Sequence, residues 1–331
     1  MTGSNRRPAD LAPTDLAGPT GDLVRLLRPD HWFKNVFALP GAVVAVALFS
    51  DVVDWGALLW RAPVGLLSLC LTASANYVLN ALLDAASDRH HPTKRARPVP
   101  SGRVTPNTAW TLYAIVTALA LLTSLALGWR FAGSMLALWV MGIVYNVPPA
   151  RSKDVPYLDV LSESANNPIR LLAGWWVVLP HTTYPPGSLL LAYWMGGGFL
   201  MALKRFGEWR YIDDADRASL YRRSFGGYTE PRLLATVVFY ASMAMALLAA
   251  FTVRYRLELI LTLPLASGAM AVYFASAFRP DSPVQRPEHL WREPWLVAAA
   301  AVFALGCLLL LFVDLPFLEN WLSPDAPSLV R

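Results

Sequence analysis

The chain has 331 residues, of which 55% are hydrophobic and 15% are charged, and its mean hydropathy is +0.40. Soluble domains carry roughly 25% charged residues, so this composition excludes an ordinary water-soluble fold and indicates a membrane protein. The net charge of +5 does not imply nucleic acid as a partner, because lysine and arginine accumulate in the cytoplasmic loops of membrane proteins. We therefore expect a membrane location and no nucleic-acid binding.

The two ends of the chain differ in composition from the rest. Residues 1–21 are rich in Pro, Gly, Thr and Asp and contain no apolar run, so we expect a disordered cytoplasmic tail and not a cleavable signal peptide. We predict one transmembrane domain at residues 22–320 and a short C-terminal tail at residues 321–331. Cys70 and Cys307 both fall in apolar runs, which predicts two small buried residues and no zinc site.

Several stretches match a membrane-spanning helix, which needs roughly 20 mostly apolar residues. The nine candidates cover residues 36–53, 58–81, 109–127, 131–147, 157–179, 188–203, 233–253, 257–278 and 294–317. The N-terminal tail and every second loop carry most of the 28 lysines and arginines. This asymmetry predicts a multi-pass protein of the cell inner (plasma) membrane with its N-terminus in the cytoplasm. The expected fold class is all-α, with about nine transmembrane helices around a central cavity.

The end of the second predicted span carries Asn80, Asp84 and Asp88, which we call the first motif. A spacing of four residues places them on one face of a helix. Two ionised carboxylates one turn apart repel each other unless a cation lies between them, and such hard oxygen ligands suit Mg²⁺. We predict that Asp84 and Asp88 bind Mg²⁺ and are catalytic, and that Asn80 contacts substrate. Two ordinary acids at a solvated helix end are the alternative.

A basic run, residues 89–98, follows the first motif directly and includes Lys94, Arg95 and Arg97. Guanidinium and ammonium groups bind phosphate oxygens. Acids that hold a metal next to bases that hold phosphate would form a site for a diphosphate–Mg²⁺ complex, so we predict that these three cations bind substrate. The alternative is that the run only binds anionic lipid. The two histidines of the run are interpreted as polar loop residues.

A second polar constellation surrounds the fifth predicted span. It comprises Tyr145, Arg151 and Lys153, followed by a polar stripe along the span formed by Asp159, Glu163, Asn166 and Arg170. Ionisable groups inside a span are costly in lipid, so the stripe is expected to face a cavity. We predict that Asp159 is catalytic and that the other six residues bind substrate, with Asp159 and Glu163 as candidates for a second metal. A structural salt bridge from one of these acids to Arg170 is the alternative.

Three further cations lie next to predicted spans: Lys34 before the first, and Lys204 and Arg205 at the end of the sixth. At headgroup level Lys34 can bind the phosphate of a lipid substrate, and Lys204 and Arg205 can contact phosphate at the mouth of the cavity. Snorkelling of Lys34 and membrane anchoring by the other two are the alternatives.

Together these segments resemble the UbiA superfamily of intramembrane prenyltransferases. The first motif is similar to the first aspartate-rich motif of that superfamily, and Asp159 with Glu163 is similar to the second. A fold of nine helices fits as well. Within the superfamily the likeness is greatest to the branch that acts on polyprenyl phosphates, and it extends over residues 28–230. Its most specific piece is the His-Pro-Thr-Lys-Arg sequence of the basic run.

The resemblance implies a Mg²⁺-dependent membrane transferase of cell-wall biosynthesis. It would transfer a 5-phosphoribosyl group from phosphoribosyl pyrophosphate to a polyprenyl phosphate such as decaprenyl phosphate, releasing diphosphate. The alternative is a prenyltransferase that moves an isoprenoid from its diphosphate to an aromatic or other small acceptor. Ala81 departs from the superfamily pattern, which has Asp there, and keeps open a binding protein that has lost activity. Asn167-Pro168 predicts a kink in the fifth span, and because transporters often have broken helices at mid-membrane, this kink keeps open a transporter. The sequence leaves homo-oligomer formation open.

Overall fold

The computed structural model describes residues 18–89, 94–181, 183–212, 222–279, 282, 284–285 and 293–322. Throughout these ranges the chain forms helices joined by turns, and they contain no β-strand. The predicted all-α class is confirmed. The two histidines of the basic run, and most of both predicted tails, lie outside the described residues.

Twelve α-helices occur in these ranges, and six 3₁₀ segments connect or extend them. The α-helices are α1 (Pro19–Leu27), α2 (Leu39–Phe49), α3 (Trp55–Asp88), α4 (Pro106–Leu125), α5 (Trp129–Asn146), α6 (Leu158–Ser164), α7 (Asn166–Val178), α8 (Gly187–Ile212), α9 (Glu230–Tyr255), α10 (Leu263–Ser276), α11 (Pro294–Phe312) and α12 (Pro316–Leu322). The 3₁₀ segments are Pro29–Ala38, Ser50–Val52, Lys94–Ala96, Ser152–Asp154, Arg223–Gly227 and Leu257–Thr262.

Helix α3 carries the first motif at its C-terminal end. Asp54 caps its N-terminus by accepting a hydrogen bond from the Ala57 amide at 2.9 Å. The helix has 34 residues, which corresponds to a length of roughly 51 Å. A hydrocarbon core is only about 30 Å thick. If α3 crosses that core, its last turns extend beyond it, and the acids of the first motif lie at a polar boundary.

Six helical stretches of the described chain are long and apolar enough to cross a membrane. They are Pro19–Val52, Trp55–Asp88, Pro106–Leu125, Glu230–Tyr255, Leu257–Ser276 and Pro294–Phe312. The other three predicted spans fall on α5, on α6 with α7, and on α8, which do not meet the same criterion. A polytopic membrane protein is therefore supported, whereas the predicted count of nine spans is not confirmed.

The fifth predicted span is divided into α6 and α7 at Ala165. The Asn167-Pro168 pair predicts a kink here, because proline has no amide hydrogen for the carbonyl four residues earlier, that of Ser164. The hydrogen bond from the Ile169 amide to the Ala165 carbonyl is correspondingly long, at 3.4 Å. The break separates the two acids of the polar stripe, on α6, from Arg170 on α7.

Helices α2 and α7 cross at glycines. A side-chain carbon built on Gly41 would collide with the Leu171 carbonyl, and one built on Gly174 would collide with the Ala38 carbonyl. Small residues allow membrane helices to approach closely, which compensates for the weak hydrophobic drive between helices in lipid. This crossing places the segment that carries Lys34 and Asn35 against the helix that carries Arg170.

Candidate active site

Asp84 of the first motif is held by two cations from the loop that precedes α6. Lys153 Nζ donates to both carboxylate oxygens of Asp84, at 2.7 and 2.9 Å, and Arg151 Nη2 donates to Asp84 Oδ1 at 3.1 Å. Lys153 Nζ also lies 3.3 Å from Asn80 Oδ1 and 3.0 Å from Asn146 Oδ1. Four side-chain oxygens from three residues therefore converge on one ammonium group.

The loop that carries Lys153 has a strained backbone. Arg151 has a φ of 23° and Tyr157 a φ of 68°, in a region that residues with side chains rarely adopt. Between them lies the 3₁₀ turn Ser152–Asp154. Strain of this kind persists where the surroundings impose it, and it is concentrated at functional sites. Burial lowers the pKa of Lys153, although the adjacent Asp84 carboxylate acts in the opposite direction.

Asp88, one turn further along α3, contacts a different cation. It is buried and accepts a hydrogen bond from Arg97 Nη1 at 2.8 Å. Arg97, from the basic run, thus reaches an acid of the first motif, whereas Lys94 is partly exposed and Arg95 is exposed. The structure joins the first motif to the basic run, and the ion pairs described for Asp84 and for Asp88 are made with different cations.

Asp159 on α6 is completely buried and fully hydrogen-bonded. Arg205 Nε, Ser224 Oγ and the Tyr228 hydroxyl donate to it at 2.9, 3.1 and 2.7 Å. Burial and the Asp159 carboxylate raise the pKa of Tyr228, which keeps the phenol protonated as a donor. An acid enclosed by three donors is suited to fixing the positions of α6, α8 and the 223–227 turn. Its catalytic role stays a prediction, and its surroundings favour a supporting one.

Glu163, one turn along from Asp159, also pairs with Arg205. The Tyr145 hydroxyl donates to Glu163 Oε2 at 3.0 Å and accepts a hydrogen bond from Arg222 Nη2 at 2.8 Å. The alternative of a salt bridge from either acid to Arg170 is wrong, because Arg205 from α8 is the partner of both. Sequence spacing along one helix could not reveal a partner from another helix.

Arg170 is buried in the interior without a carboxylate partner among the described residues. Its Nε donates to Asn35 Oδ1 at 3.2 Å, and its Nη1 donates to the Asn166 carbonyl at 3.3 Å. Asn166 Oδ1 is buried and has no hydrogen-bond partner among the described residues. Lys34 lies within electrostatic range of Arg170, Lys204 and Glu163. A buried cation without a carboxylate partner indicates a site for an anionic ligand, and the unpaired Asn166 oxygen would accept a hydrogen bond from a donor such as a hydroxyl group of that ligand.

The region around the polar stripe carries an excess of positive charge. Its cations are Lys34, Arg170, Lys204, Arg205 and Arg222, and its carboxylates are Asp159, Glu163 and Glu208. Lys204 pairs only weakly, since its Nζ is 4.0 Å from Glu208 Oε1. Clustered cations in a low-dielectric interior repel one another, so such a cluster is stabilised when an anion binds. The site can therefore attract and hold phosphate groups.

Sequence reasoning missed Asn35 and Asn146 as site residues. Asn35 is buried between Arg170 and Cys70, whose Sγ accepts from Asn35 Nδ2 at 3.3 Å. Asn146 is buried at the end of α5 and accepts from Lys153. Both amides stand at the ends of apolar segments, and an amide buried between membrane helices needs a polar partner. The position of each asparagine at the end of an apolar segment was therefore the sequence signal that could have identified it as a site residue.

The oxygen ligands at the first motif are of the kind that bind a hard cation. In the described part of the chain, no three His, Cys, Asp or Glu side chains converge to hold a metal alone. Oxygens of Asp84, Asn80 and Asn146 nevertheless converge on the Lys153 ammonium, which takes the position of a cation. Mg²⁺ is commonly bound by one or two carboxylates together with water and substrate phosphates. The residues present therefore suit a metal–diphosphate complex.

The fold and the site define a polytopic helical membrane protein with a buried, cation-rich site next to an acidic motif. Residues 36–292 match the UbiA prenyltransferase family. The chain belongs to this family, and the resemblance inferred from its motifs is confirmed. It is accordingly a transferase of the UbiA type.

The chain is also similar to relatives with assigned names, two of which share one name. A decaprenyl-phosphate phosphoribosyltransferase from Mycolicibacterium smegmatis is 31% identical over 66% of this chain and 67% of that protein. The protein of the same name from Mycobacterium tuberculosis is 29% identical over 64% of this chain and 67% of its own length. Nodulation protein NoeC of Azorhizobium caulinodans is 30% identical over 60% of this chain and 61% of that protein.

Solved structures support the fold. A UbiA homolog from Archaeoglobus fulgidus bound to GPP and Mg²⁺ has a TM-score of 0.65 and 20% identity, with 88% of this chain and 100% of that chain covered. The homolog bound to DMAPP and Mg²⁺ gives a TM-score of 0.66 at 21% identity with the same coverage. At such identities the likeness establishes the arrangement of helices and not the substrate.

Proposed function

We propose that this protein transfers a 5-phosphoribosyl group from phosphoribosyl pyrophosphate to a polyprenyl phosphate, such as decaprenyl phosphate, and releases diphosphate. The observation that carries the proposal is the excess of buried cations around the polar stripe, next to an acidic motif held by basic loops. A donor and an acceptor that both carry phosphate supply the anions which this charge requires. The names of the relatives from mycobacteria support this substrate pair.

The reaction requires the protein to position its two substrates more than to transfer protons. A phosphate oxygen of the acceptor attacks the anomeric carbon of the donor, and the bond from that carbon to the diphosphate oxygen breaks. The diphosphate leaves with the bonding electrons. Because the acceptor phosphate is already an anion, no general base is needed. The protein has to align the two anions and exclude water, which would hydrolyse the donor.

The two phosphate-bearing groups are assigned to different parts of the site. The diphosphate of the donor is assigned to the loops around the first motif, with Arg97, Arg151 and Lys153 as its cations. The acceptor phosphate is assigned to Lys34 and Arg170, together with Lys204. The crossing of α2 and α7 described above holds Lys34 and Arg170 together, and Lys204 is contributed by α8.

The buried network around Glu163 is assigned a positioning role. Arg205 and the Tyr145 hydroxyl both contact this carboxylate, and Arg222 contacts Tyr145. Because these groups form their hydrogen bonds with one another inside the protein, they fix the positions of α5, α6 and α8 relative to each other. They leave the less well paired cations, Lys34 and Arg170, to face the substrate.

Mg²⁺ is the proposed cofactor, with Asp84, Asp88 and Asn80 as the residues that would hold it. When bound, a divalent ion neutralises charge that develops on a leaving diphosphate. The solved UbiA homologs that contain Mg²⁺ together with a prenyl diphosphate support this assignment. Arg97 and Arg151 contribute further positive charge from the chain itself.

A prenyltransferase is the second candidate function. It is favoured by the structural neighbours bound to GPP and DMAPP, whose diphosphates are chemically equivalent to that of phosphoribosyl pyrophosphate. The same acids and cations would bind either donor. The two functions differ in whether the acceptor carries a phosphate group. An aromatic acceptor would leave Arg170 and Lys34 without a phosphate partner.

The test uses the full-length protein purified in detergent. Labelled phosphoribosyl pyrophosphate and decaprenyl phosphate are incubated with Mg²⁺, and parallel reactions contain geranyl diphosphate with an aromatic acid. We expect label in the lipid fraction, loss of that label with a chelator, and no prenylated aromatic product. Absence of lipid-linked label under conditions in which the Mycolicibacterium smegmatis relative is active would reject the proposed substrates. A prenylated aromatic product would establish the second candidate.

We further propose that residues 22–320 form one transferase domain in the plasma membrane, with the N-terminus in the cytoplasm. Phosphoribosyl pyrophosphate is a soluble, highly charged donor, so a site that uses it has to open to the cytoplasm. The distribution of lysine and arginine among the loops supports the same orientation.

A further inference from the structure

Lys153 occupies an unusual position for a loop lysine. Only 9% of the residue is exposed, and its ammonium group has three hydrogens for four surrounding oxygens. Two of these oxygens belong to Asp84 and two to the side-chain amides of Asn80 and Asn146. Lysine side chains on loops ordinarily keep their charge in water. Here the ammonium is surrounded in the way that protein oxygens surround a metal ion.

The composition of the first motif agrees with this arrangement. Ala81 stands beside Asn80, so this position contributes no carboxylate. Asp84 is already paired with two cations, Lys153 and Arg151. A divalent ion that approaches Asp84 would need the oxygens that the ammonium now holds. A divalent ion and the Lys153 ammonium cannot occupy the same position among these oxygens, because their repulsion is strong where water is largely excluded.

We propose that Lys153 is a built-in cation of the first motif and that a divalent ion binds Asp84 only by displacing it. The proposal rests on the metal site of the proposed function and deepens it. The displaced ammonium stays near the site, where it can bind the diphosphate that arrives with the metal. Metal and diphosphate would then favour each other's binding.

The surroundings of Lys153 supply contacts that persist when its side chain moves. The loop lies between Arg151 and Tyr157, both with positive φ, and strain of this kind persists because the surrounding structure holds the loop in place. Asp84 keeps Arg151 as a partner when Lys153 leaves, so the carboxylate is not left without a cation. Asn146 lies at the end of α5, on an element separate from the lysine, so the cradle persists after displacement.

The test measures Mn²⁺ binding to the full-length protein in detergent, from the electron paramagnetic resonance signal of free Mn²⁺. We expect Lys153→Met to bind Mn²⁺ at least about tenfold more tightly than the wild-type protein, which corresponds to the loss of one competing cation. Lys153→Arg keeps the positive charge and should bind with an affinity near that of the wild type. Arg210→Met removes a positive charge from a pair with Glu230 outside the site and should leave Mn²⁺ affinity unchanged.

The opposite results are equally distinct. Unchanged or weaker Mn²⁺ binding by Lys153→Met, or no binding by either protein, overturns the inference, and Lys153→Gln serves if the Met variant does not fold. Mn²⁺ binding that survives in Asp84→Asn places the ion elsewhere and also overturns it. Lipid-linked product from the wild-type protein, with Mn²⁺ affinity unaltered in Lys153→Met, rejects the competition alone and leaves the proposed function standing.

Discussion

At the scale of single residues, the two acids of the first motif contact different cations, but both are expected to help to hold the metal and the diphosphate. Asp84 contacts Lys153 and Arg151, whereas Asp88 contacts Arg97. We predict that Asp84→Asn and Asp88→Asn each lower kcat by about 100-fold or more, since each removes a charge that helps to hold the metal and the diphosphate. Turnover of labelled donor into lipid, measured at saturating substrates, checks this.

Asp314→Asn is the matched control for these two variants. Asp314 also pairs with an arginine, Arg256, at 2.7 Å, but it lies between α11 and α12, away from the first motif. Its kcat should stay within about twofold of the wild type, because a partly exposed ion pair contributes little. Near-normal rates in both Asp84→Asn and Asp88→Asn would show that the metal site is misplaced.

Arg170 tests the assignment of the acceptor phosphate. Arg170→Gln removes a buried charge that has no carboxylate partner among the described residues, and a charged hydrogen bond contributes about 1.5–3 kcal/mol. We predict that kcat/KM for the polyprenyl phosphate falls by about 10- to 100-fold while KM for the donor stays near its wild-type value. Initial rates with each substrate varied in turn measure the two constants.

Arg254→Gln controls for the loss of an arginine. Arg254 is exposed in the last turn of α9, and neither constant should change. If Arg170→Gln instead raises the donor KM and leaves the acceptor unaffected, the two phosphate assignments have to be exchanged. Equal losses for both substrates would indicate that Arg170 supports the fold of the site as a whole.

The residue scale also shows what spacing can and cannot predict. The i, i+4 spacing of Asn80, Asp84 and Asp88 defined a helix face, because helical geometry is local. The same reasoning offered Arg170 as a partner for Asp159 or Glu163, since all three lie on one predicted span. Pairing between helices depends on tertiary packing, which is why Arg205 emerged only from the structure.

At the scale of elements, the crossing of α2 and α7 is a tight backbone contact. A methyl group at Gly174 would collide with the Ala38 carbonyl, whereas one at Gly133 on α5 would meet no atom within 4 Å. We predict that Gly174→Ala destabilises the protein by about 1–3 kcal/mol, the usual cost of overpacking, while Gly133→Ala does not. Thermal unfolding in detergent, followed by tryptophan fluorescence, compares the two variants. Equal melting temperatures would show that the helices can separate without cost.

Element boundaries were predictable to different degrees. The Asn167-Pro168 pair predicted an interruption, and the structure places it at Ala165, between α6 and α7. The first predicted span, residues 36–53, begins instead in the last residues of a 3₁₀ segment, Pro29–Ala38, and becomes an α-helix only at Leu39. Hydropathy could not distinguish these two helix types, because both present apolar side chains to their surroundings.

At the scale of the whole molecule, composition alone indicated a polytopic helical membrane protein. Helices are the main structure that an apolar chain of this kind can form in a hydrocarbon core. The number of spans was harder to predict. Helices α5 to α8 carry the polar stripe and the residues that pair with it. Their polar residues reduce the hydropathy by which a span is recognised, and the break at Ala165 divides one predicted span into two short helices. Substrate identity lies beyond composition altogether and depends on particular residues.

The orientation of the molecule is open to a direct test with two matched serine variants. Ser50 follows α2 and Ser101 precedes α4, and both are exposed, so a single span, α3, separates them. In a background without Cys70 and Cys307, we predict that Ser50→Cys reacts with a membrane-impermeant thiol reagent in intact cells. Ser101→Cys should react only after the cells are opened, because its loop adjoins the basic run that the positive-inside rule places in the cytoplasm. The reverse pattern would put the first motif outside the cell, where phosphoribosyl pyrophosphate could not reach it, and both the orientation and the proposed donor would have to be abandoned.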